Sequence, residues 1–264
     1  CYFLLIFLEE YPMALEYNKP LLAKIRRASR EYGLIEDGDK IAVGLSGGKD
    51  STLMLYALSV LKRTIPVKFD LEAITLDAGW DNDWSGIASY CESLGVPFHL
   101  EKTNIAQVVF DIRKEKNPCS LCAKMRRGAL HSIAKAHGCN KVALGHHLDD
   151  ALETFLMSLT YEGRIHTFAP RAYLSRADIT LIRPMIYVLE SDIIDISRKL
   201  ELPIVINKCP ADGHTSRQDM KDLLNLLSKD NPLVRQRMQS AMTTGLWQKY
   251  LVNAKGDELD ALTD

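Results

Sequence analysis

The stretch Ile41-Ala42-Val43-Gly44-Leu45-Ser46-Gly47-Gly48-Lys49-Asp50-Ser51 decides the fold. It opens as an apolar, β-prone run and closes in a Ser-Gly-Gly-Lys-Asp-Ser turn, and a helical pattern follows from Thr52 to Lys62. A strand, a glycine turn and a helix in that order form a phosphate site. Gly47 and Gly48 allow the backbone to turn sharply and to approach an anion with no Cβ in the way. The helix that follows points free N–H groups and its positive dipole end at that anion. Lys49 adds a positive charge, Ser46 and Ser51 offer hydroxyl donors, and Asp50 stands beside them. A turn with no ligand is the blander reading. It leaves a Lys-Asp pair beside two glycines without a packing purpose.

A Walker A loop requires Gly, four residues, then Gly-Lys-Ser/Thr. Here Val43 occupies the first glycine position and Asp50 follows the lysine, so that pattern fails twice. Ser46-Gly47-Gly48-Lys49-Asp50-Ser51 instead resembles the PP-loop of the ATP pyrophosphatases. That resemblance implies cleavage of ATP to AMP and pyrophosphate, with AMP activating a carbonyl oxygen.

With 264 residues, 47% hydrophobic and 25% charged, the chain has the balance of an ordinary globular protein. A chain of this size buries roughly 70–75% of its unfolded surface and needs no disulfide staples. The net charge of -1 neither requires nor excludes nucleic acid, so local basic clusters carry that question. The six cysteines are Cys1, Cys91, Cys119, Cys122, Cys139 and Cys209. The apolar run Tyr2–Leu8 lacks a basic leader and is too short to span a bilayer. A cytoplasmic protein with metal-type cysteine use and no membrane partner is expected. Met13 reads as a natural start, which would leave residues 1–12 upstream or non-native.

Working outward, Leu21–Tyr32 has helical periodicity, with Lys24, Arg26, Arg27 and Arg30 on its polar side and Gly33 at its end. Those cations suit a phosphate backbone or, equally, a solvated helix face. Phe69–Leu76 alternates as a second strand, and Asp77 at its end would lie on the ligand side of an open α/β sheet. Trp84–Leu94 reads as a helix, Val96–Leu100 as a strand and Ile105–Lys114 as a helix. Lys141–Leu144 is a further strand, and a helix then runs to Leu159. Tyr161–Arg176 reads as a loop carrying Arg164, His166, Arg171 and Arg176, before a strand at Ile179–Ile182. Glu190–Leu200 follows as a helix and Pro203–Ile206 as a short strand, and Gln218–Leu227 and Leu233–Gly245 close the chain as helices. The alternation predicts a mainly parallel open sheet covered on both faces, with terminal helical additions. Three parts are expected: 1–35 with the basic helix, 36–205 as the ATPase domain, and 206–264 with Cys209 and the last helices.

Two further constellations bear chemistry. Cys119-Ser-Leu-Cys122 stands at the mouth of a helix, where Lys124, Arg126 and Arg127 favour thiolate. Gly145-His146-His147-Leu148-Asp149-Asp150 follows a strand, so Gly145 admits close backbone approach and the side chains gather where the phosphate loop opens. Asp149 or Asp150 could hold Mg²⁺, orient the substrate or assist proton transfer, and one of them could simply cap the helix. Cys209 stands alone in a polar turn with Lys208 and can complete a three-thiolate set with the Cys pair.

Together with Arg126-Arg127-Gly128 and Arg183-Pro184, these motifs resemble the tRNA 2-thiocytidine synthetases among the PP-loop thiolation enzymes, over roughly Leu22 to Met242. The resemblance implies ATP and Mg²⁺ at Ser46–Ser51, with Asp77, Gly145 and His146 lining the nucleotide. It implies a [4Fe-4S] cluster on Cys119, Cys122 and Cys209, and Lys49, Asp50, Asp149 and Asp150 as the reacting groups. It implies tRNA as substrate, met by Arg26, Arg27, Lys124, Arg126, Arg127, Arg164 and Arg171. A sulfur donor such as a cysteine desulfurase and a homodimer through the terminal helices complete the picture. The third cluster position carries one cysteine, in Cys209-Pro-Ala-Asp, where the family has a Cys-x-x-Cys. Thiolation of a uridine, a persulfide route through Cys122 and Cys209, and a zinc-stapled nucleotide-binding module are the alternatives.

Overall fold

The computed structural model describes residues 18–80, 82–114, 118–205, 209 and 216–252. The readings of Tyr2–Leu8, Met13, the Asn207-Lys208 and Gly213-His214 turn and most of the polar tail lie outside those residues. Helix α1 covers 18–32. It is followed by β1 (Asp39–Gly44), α2 (Lys49–Thr64), β2 (Phe69–Asp77), α3 (Ser85–Leu94) and β3 (Phe98–Lys102). After a π-helical segment at Gln107–Ile112 come α4 (Pro118–Ala136), β4 (Lys141–Ala143) and α5 (Leu148–Tyr161). The rest is β5 (Arg171–Leu174), β6 (Ile179–Ile182), α6 (Glu190–Lys199), α7 (Ser216–Asp230) and α8 (Val234–Gly245).

The six strands stand in the order β3-β2-β1-β4-β6-β5. All pairings are parallel except β5 with β6. From β1 the chain builds outward through β2 and β3, then returns through α4 to add β4 on the other side of β1. The order therefore reverses between β1 and β4, and a crevice opens there at the carboxyl ends. The Ser46–Ser51 loop leaves β1 and the Gly145–Asp150 segment leaves β4, so topology alone brings the two motifs to one place.

Strand alternation sorts the core into two layers. Ile41, Val43, Leu71 and Ala73 face α1, α2, α3 and α5 to α8 in the larger cluster. Ala42, Ile74, Val142 and Leu181 face Leu130 and Ala134 of α4. Helix α2 is buried without interruption from Ser51 to Leu61, because it lies between the sheet and α6. The segments before and after the α/β unit share its larger core. Leu21, Ile25 and Tyr32 of α1 pack with Met220, Leu224, Met242 and Trp247. Tyr32 and Tyr187 meet hydroxyl to hydroxyl at 2.5 Å, and Trp247 stands 6.5 Å from each ring and donates from Nε1 to the Phe168 carbonyl at 3.1 Å.

Three element assignments change. The expected loop at 161–176 contains β5, whose antiparallel edge pairing with β6 is a tertiary contact with little local signal. The expected strand at Pro203–Ile206 joins no sheet over its described residues 203–205; the Val205 N–H bonds instead to the Gly47 carbonyl. The helix expected at Ile105–Lys114 is π-helical over Gln107–Ile112. Trp247→Ala removes the ring that joins α1, the end of α8 and the Phe168 strand entry. It is expected to cost about 3–5 kcal/mol, read as a lowered urea midpoint.

Candidate active site

The loop after β1 is held from below by the sheet. Leu45 N–H donates to the Ile74 carbonyl at 2.9 Å, and Thr75 Oγ1 donates to the Leu45 carbonyl at 2.8 Å. Ser51 Oγ accepts from Ser46 N–H and donates to the Gly48 carbonyl, each at 3.1 Å, so the turn closes on its own helix. Gly47 has φ +80°, and a Cβ there would come within 2.8 Å of Trp84 and 2.9 Å of Val205. Only glycine meets both demands. The first turn of α2 leaves N–H groups without intrahelical acceptors, and they face the mouth of this turn.

Lys49 Nζ lies 3.1 Å from Asp50 and 3.2 Å from Glu190, and Glu190 also holds Lys221 at 2.6 Å. Burial pushes the Lys49 ammonium down, but the Asp50 and Glu190 charges outweigh it and leave it above the ordinary lysine value. The side chain therefore stays charged. Asp50 Oδ1 is buried and accepts no hydrogen bond. Gly145 closes the crevice from the β4 side: a Cβ on it would stand 3.1 Å from Ser51 N and 3.3 Å from the Asp50 carbonyl carbon.

The two neighbouring carboxylates have other employment. His147 caps α5; its Nδ1 accepts from Asp150 N–H, while Asp150 Oδ2 accepts from His147 N–H at 3.0 Å. Asp150 Oδ1 binds Arg217 at 2.8 Å. Asp149 Oδ1 binds Arg235 at 2.7 Å, and its Oδ2 accepts from Glu190 N–H at 2.7 Å. All four oxygens are engaged. They fasten α5 to α6, α7 and α8. Asp50 meets only the Lys49 ammonium among the close ion pairs, through both of its oxygens, and Mg²⁺ needs only one or two carboxylates beside substrate phosphates.

Asp77 sits at the end of β2, 8% exposed, accepting from Gly79 N–H at 2.9 Å and Trp84 Nε1 at 3.3 Å. It borders a cavity of about 340 Å³ with Trp84, Ser85, Phe98, Leu100 and Lys102. His146 stacks on Phe168 at 5.0 Å, and Arg183 lies 4.7 Å over the same ring. Burial and the Arg183 charge push His146 down to about 4, so the ring is neutral, and its Nδ1 has no hydrogen-bond partner.

The cysteines divide into two sets. Cys91 and Cys139 are buried, and desolvation pushes their thiols up to about 12 and about 11. Cys119 and Cys122 in the first turn of α4 and Cys209 beyond Val205 all reach the surface, and none is in a disulfide. Cys122, with Trp80, Phe110 and Met125, packs against the small cluster of Ala78, Ile105 and Val109 at the carboxyl end of β2. Val205 N–H donates to the Gly47 carbonyl at 2.9 Å, which ties residue 205 to the phosphate loop.

Arg26, Arg27, Lys124, Arg126, Arg127 and Arg164 are exposed. Arg27 pairs with Glu31 at 2.8 Å and lies 4.9 Å over Tyr187. Arg171, among the residues expected to meet tRNA, is half-buried and pairs with Glu36 at 3.8 Å. Glu190, Arg217, Arg235 and Trp84 escaped the sequence reading, because each reaches its partner across the fold and carries no local motif.

A PP-loop domain matches residues 18–225. A tRNA-cytidine(32) 2-sulfurtransferase of Geobacter sulfurreducens is 40% identical over 250 residues, 93% of this chain and 96% of that protein. The protein of the same name from Geotalea daltonii is 40% identical over 85% of this chain and 90% of its own length. The chain thus belongs to the PP-loop family, within the branch of the tRNA-cytidine(32) 2-sulfurtransferases. In architecture it matches a U34-tRNA thiolase, NcsA, from Methanococcus maripaludis, solved with its [4Fe-4S] cluster. The TM-score is 0.69 at 24% identity, over 87% of this chain and 77% of that one.

Two outcomes test this geometry. Gly145→Ala would drive a methyl group against the backbone of Asp50 and Ser51, so ATP affinity measured by calorimetry is expected to fall at least about tenfold, or about 1.4 kcal/mol. Glu153 is buried near Arg217, and burial pushes its carboxyl up to about 7, against 4.5 ordinarily. The native state then holds a proton that the unfolded chain releases, so stability falls as pH rises from about 4.5 to 7 and levels off above. Denaturant titrations across that range should show this slope in the parent chain and not in Glu153→Gln.

Proposed function

We propose that this chain replaces the C2 oxygen of a cytidine in a tRNA anticodon loop with sulfur, using ATP to activate that oxygen. The observation that carries the reading is the shared carboxyl edge of the sheet. It carries the phosphate loop and a charged Lys49, and Cys119, Cys122 and Cys209 reach the surface while the two remaining described cysteines are buried. The names of the relatives support the same substrate.

The N–H groups at the start of α2 and the Lys49 ammonium bind the triphosphate and stabilise the charge that builds on it as pyrophosphate leaves. Triphosphate binding competes with Glu190 and Asp50 for Lys49, so these carboxylates hold the lysine in place before ATP arrives. Once the triphosphate draws Lys49 away, Asp50 can offer a carboxylate oxygen to Mg²⁺. The C2 oxygen of the base attacks the α-phosphorus and the bond to pyrophosphate breaks. Sulfur then bonds to C2 and AMP departs with the oxygen, a far better leaving group than hydroxide. Neutral His146 and the backbone at Gly145 border the crevice on the β4 side.

Three soft thiolates and no carboxylate make a donor set that suits a [4Fe-4S] cluster. When bound, such a cluster supplies an iron with no protein ligand, which gives the incoming sulfur a place beside the nucleotide. Cys119, Cys122 and Cys209 would hold it. A cysteine desulfurase in the cytoplasm is the fitting sulfur source, with a two-electron reductant bringing its persulfide sulfur to the sulfide level that bonds to C2. Exposed Lys124, Arg126 and Arg127, just past Cys122, would meet the tRNA backbone, and Arg26, Arg27 and Arg164 would extend that contact. Leu226, Leu227 and Leu233 stand exposed and support pairing of two copies through α7 and α8.

Lys49→Ala should lower tRNA-dependent pyrophosphate release by about 10²–10³-fold while iron content stays unchanged. Cys119→Ser should keep pyrophosphate release but lose 2-thiocytidine, read by mass spectrometry of digested tRNA. Thiolation retained in Cys119→Ser would overturn the cysteine assignment.

A further inference from the structure

At the amino end of the sheet, far along α4 from its cysteines, three side chains converge. Glu72 projects from β2 on the α4 side, beside Ile74. His99 projects from β3, and His137 follows the last turn of α4. Glu72 Oε2 lies 3.2 Å from His99 Nε2 and 3.2 Å from His137 Nδ1, and the two imidazole rings are 4.0 Å apart. One ligand atom from each residue lies within 4.8 Å of the other two, and this is the one such group among the described residues.

The approach is close, yet it is not hydrogen bonding. Glu72 Oε2 and His99 Nε2 are both buried and neither has a hydrogen-bond partner. Leaving two such atoms unmatched costs about 1–3 kcal/mol each, unless something sits between them. Two donors bound at about 2.1 Å to one tetrahedral zinc stand about 3.4 Å apart, close to the separations seen. The other carboxylate oxygen is oriented from outside: Lys40 Nζ binds Glu72 Oε1 at 2.6 Å and donates to the His137 carbonyl at 2.6 Å. Outer contacts of this kind fix the ligands of metal sites. The C-terminal end of α4 also favours a cation. The His99 and His137 side chains remain 27% and 30% exposed, which leaves an entry path and room for water as a fourth ligand.

We propose that Glu72, His99 and His137 form a binding site for a divalent transition-metal ion, zinc by its ligand set, separate from the cysteines and the ATP loop. Two imidazoles and one carboxylate suit a borderline ion, not the soft cluster iron or hard Mg²⁺. The site joins β2, β3 and the end of α4. It fastens the far end of the helix whose first turn carries Cys119 and Cys122.

The test uses the full chain with Cys119, Cys122 and Cys209 changed to serine, stripped with a chelator and titrated with zinc alone. One zinc per chain is expected, with a rise in the thermal midpoint. Adding His99→Asn and His137→Asn should weaken zinc binding more than about tenfold and abolish the rise. Cobalt(II) should give weak d–d bands without thiolate charge transfer. Lys40→Met should weaken zinc binding several-fold, since it removes the outer contact that orients the carboxylate. Absence of zinc uptake, or equal uptake with both histidines replaced, would overturn the proposal. If the triple serine chain does not fold, the same histidine changes in the cysteine-bearing chain should remove one zinc equivalent, and no change there would equally overturn it.

Discussion

The backbone contact between the turn after β4 and the start of α2 is the constraint on which the site depends. Gly145 packs against Ser51 and Asp50 closely enough that a single Cβ would reach 3.1 Å from the Ser51 nitrogen. That contact exists because β1 and β4 are neighbours, although α2, β2, α3, β3, the π-helical segment and α4 lie between them in the chain. An open α/β sheet whose order reverses at one place can bring two loops together only there. The phosphate turn, the capped start of α5 and the neutral His146 are therefore consequences of one topological choice.

Around that contact, charge is arranged so that few groups are left idle. Lys49 is shared between Asp50 and Glu190, and Glu190 in turn between Lys49 and Lys221. Asp149 and Asp150 bind Arg235 and Arg217. The helices after the sheet thus reach back to the loop through ion pairs, and they also share its hydrophobic core. Removing one partner would leave a buried charge uncompensated, which costs more than the pair itself contributes. Chain ends that read as additions are part of the mounting of the active site.

Helix α4 has two chemically distinct ends. At its start, two accessible thiols stand at the carboxyl edge of the sheet; at its finish, His137 meets Glu72 and His99 at the amino edge. A helix of 19 residues spans about 28 Å, so the two ends cannot contact one ligand. They can be coupled only through the rigidity of the helix and the strands it covers.

Much of this was legible in the residues. The Ile41–Ser51 stretch, the periodicity of the helices and the alternation of strands and helices determined a parallel α/β sheet with a phosphate loop, because strand, turn and helix propensities act over a few neighbouring residues. The Cys119-Ser-Leu-Cys122 spacing marked a thiol site for the same reason. Tertiary structure alone decided the rest. It separated surface thiols from Cys91 and Cys139, set Glu190 on Lys49, gave Asp149 and Asp150 to arginines, and drew His99 to His137 across 38 positions of chain. These outcomes depend on desolvation and on pairings between distant segments. No local pattern encodes which partner a buried charge will meet, whereas the hydrophobic period that folds the chain is written in every turn.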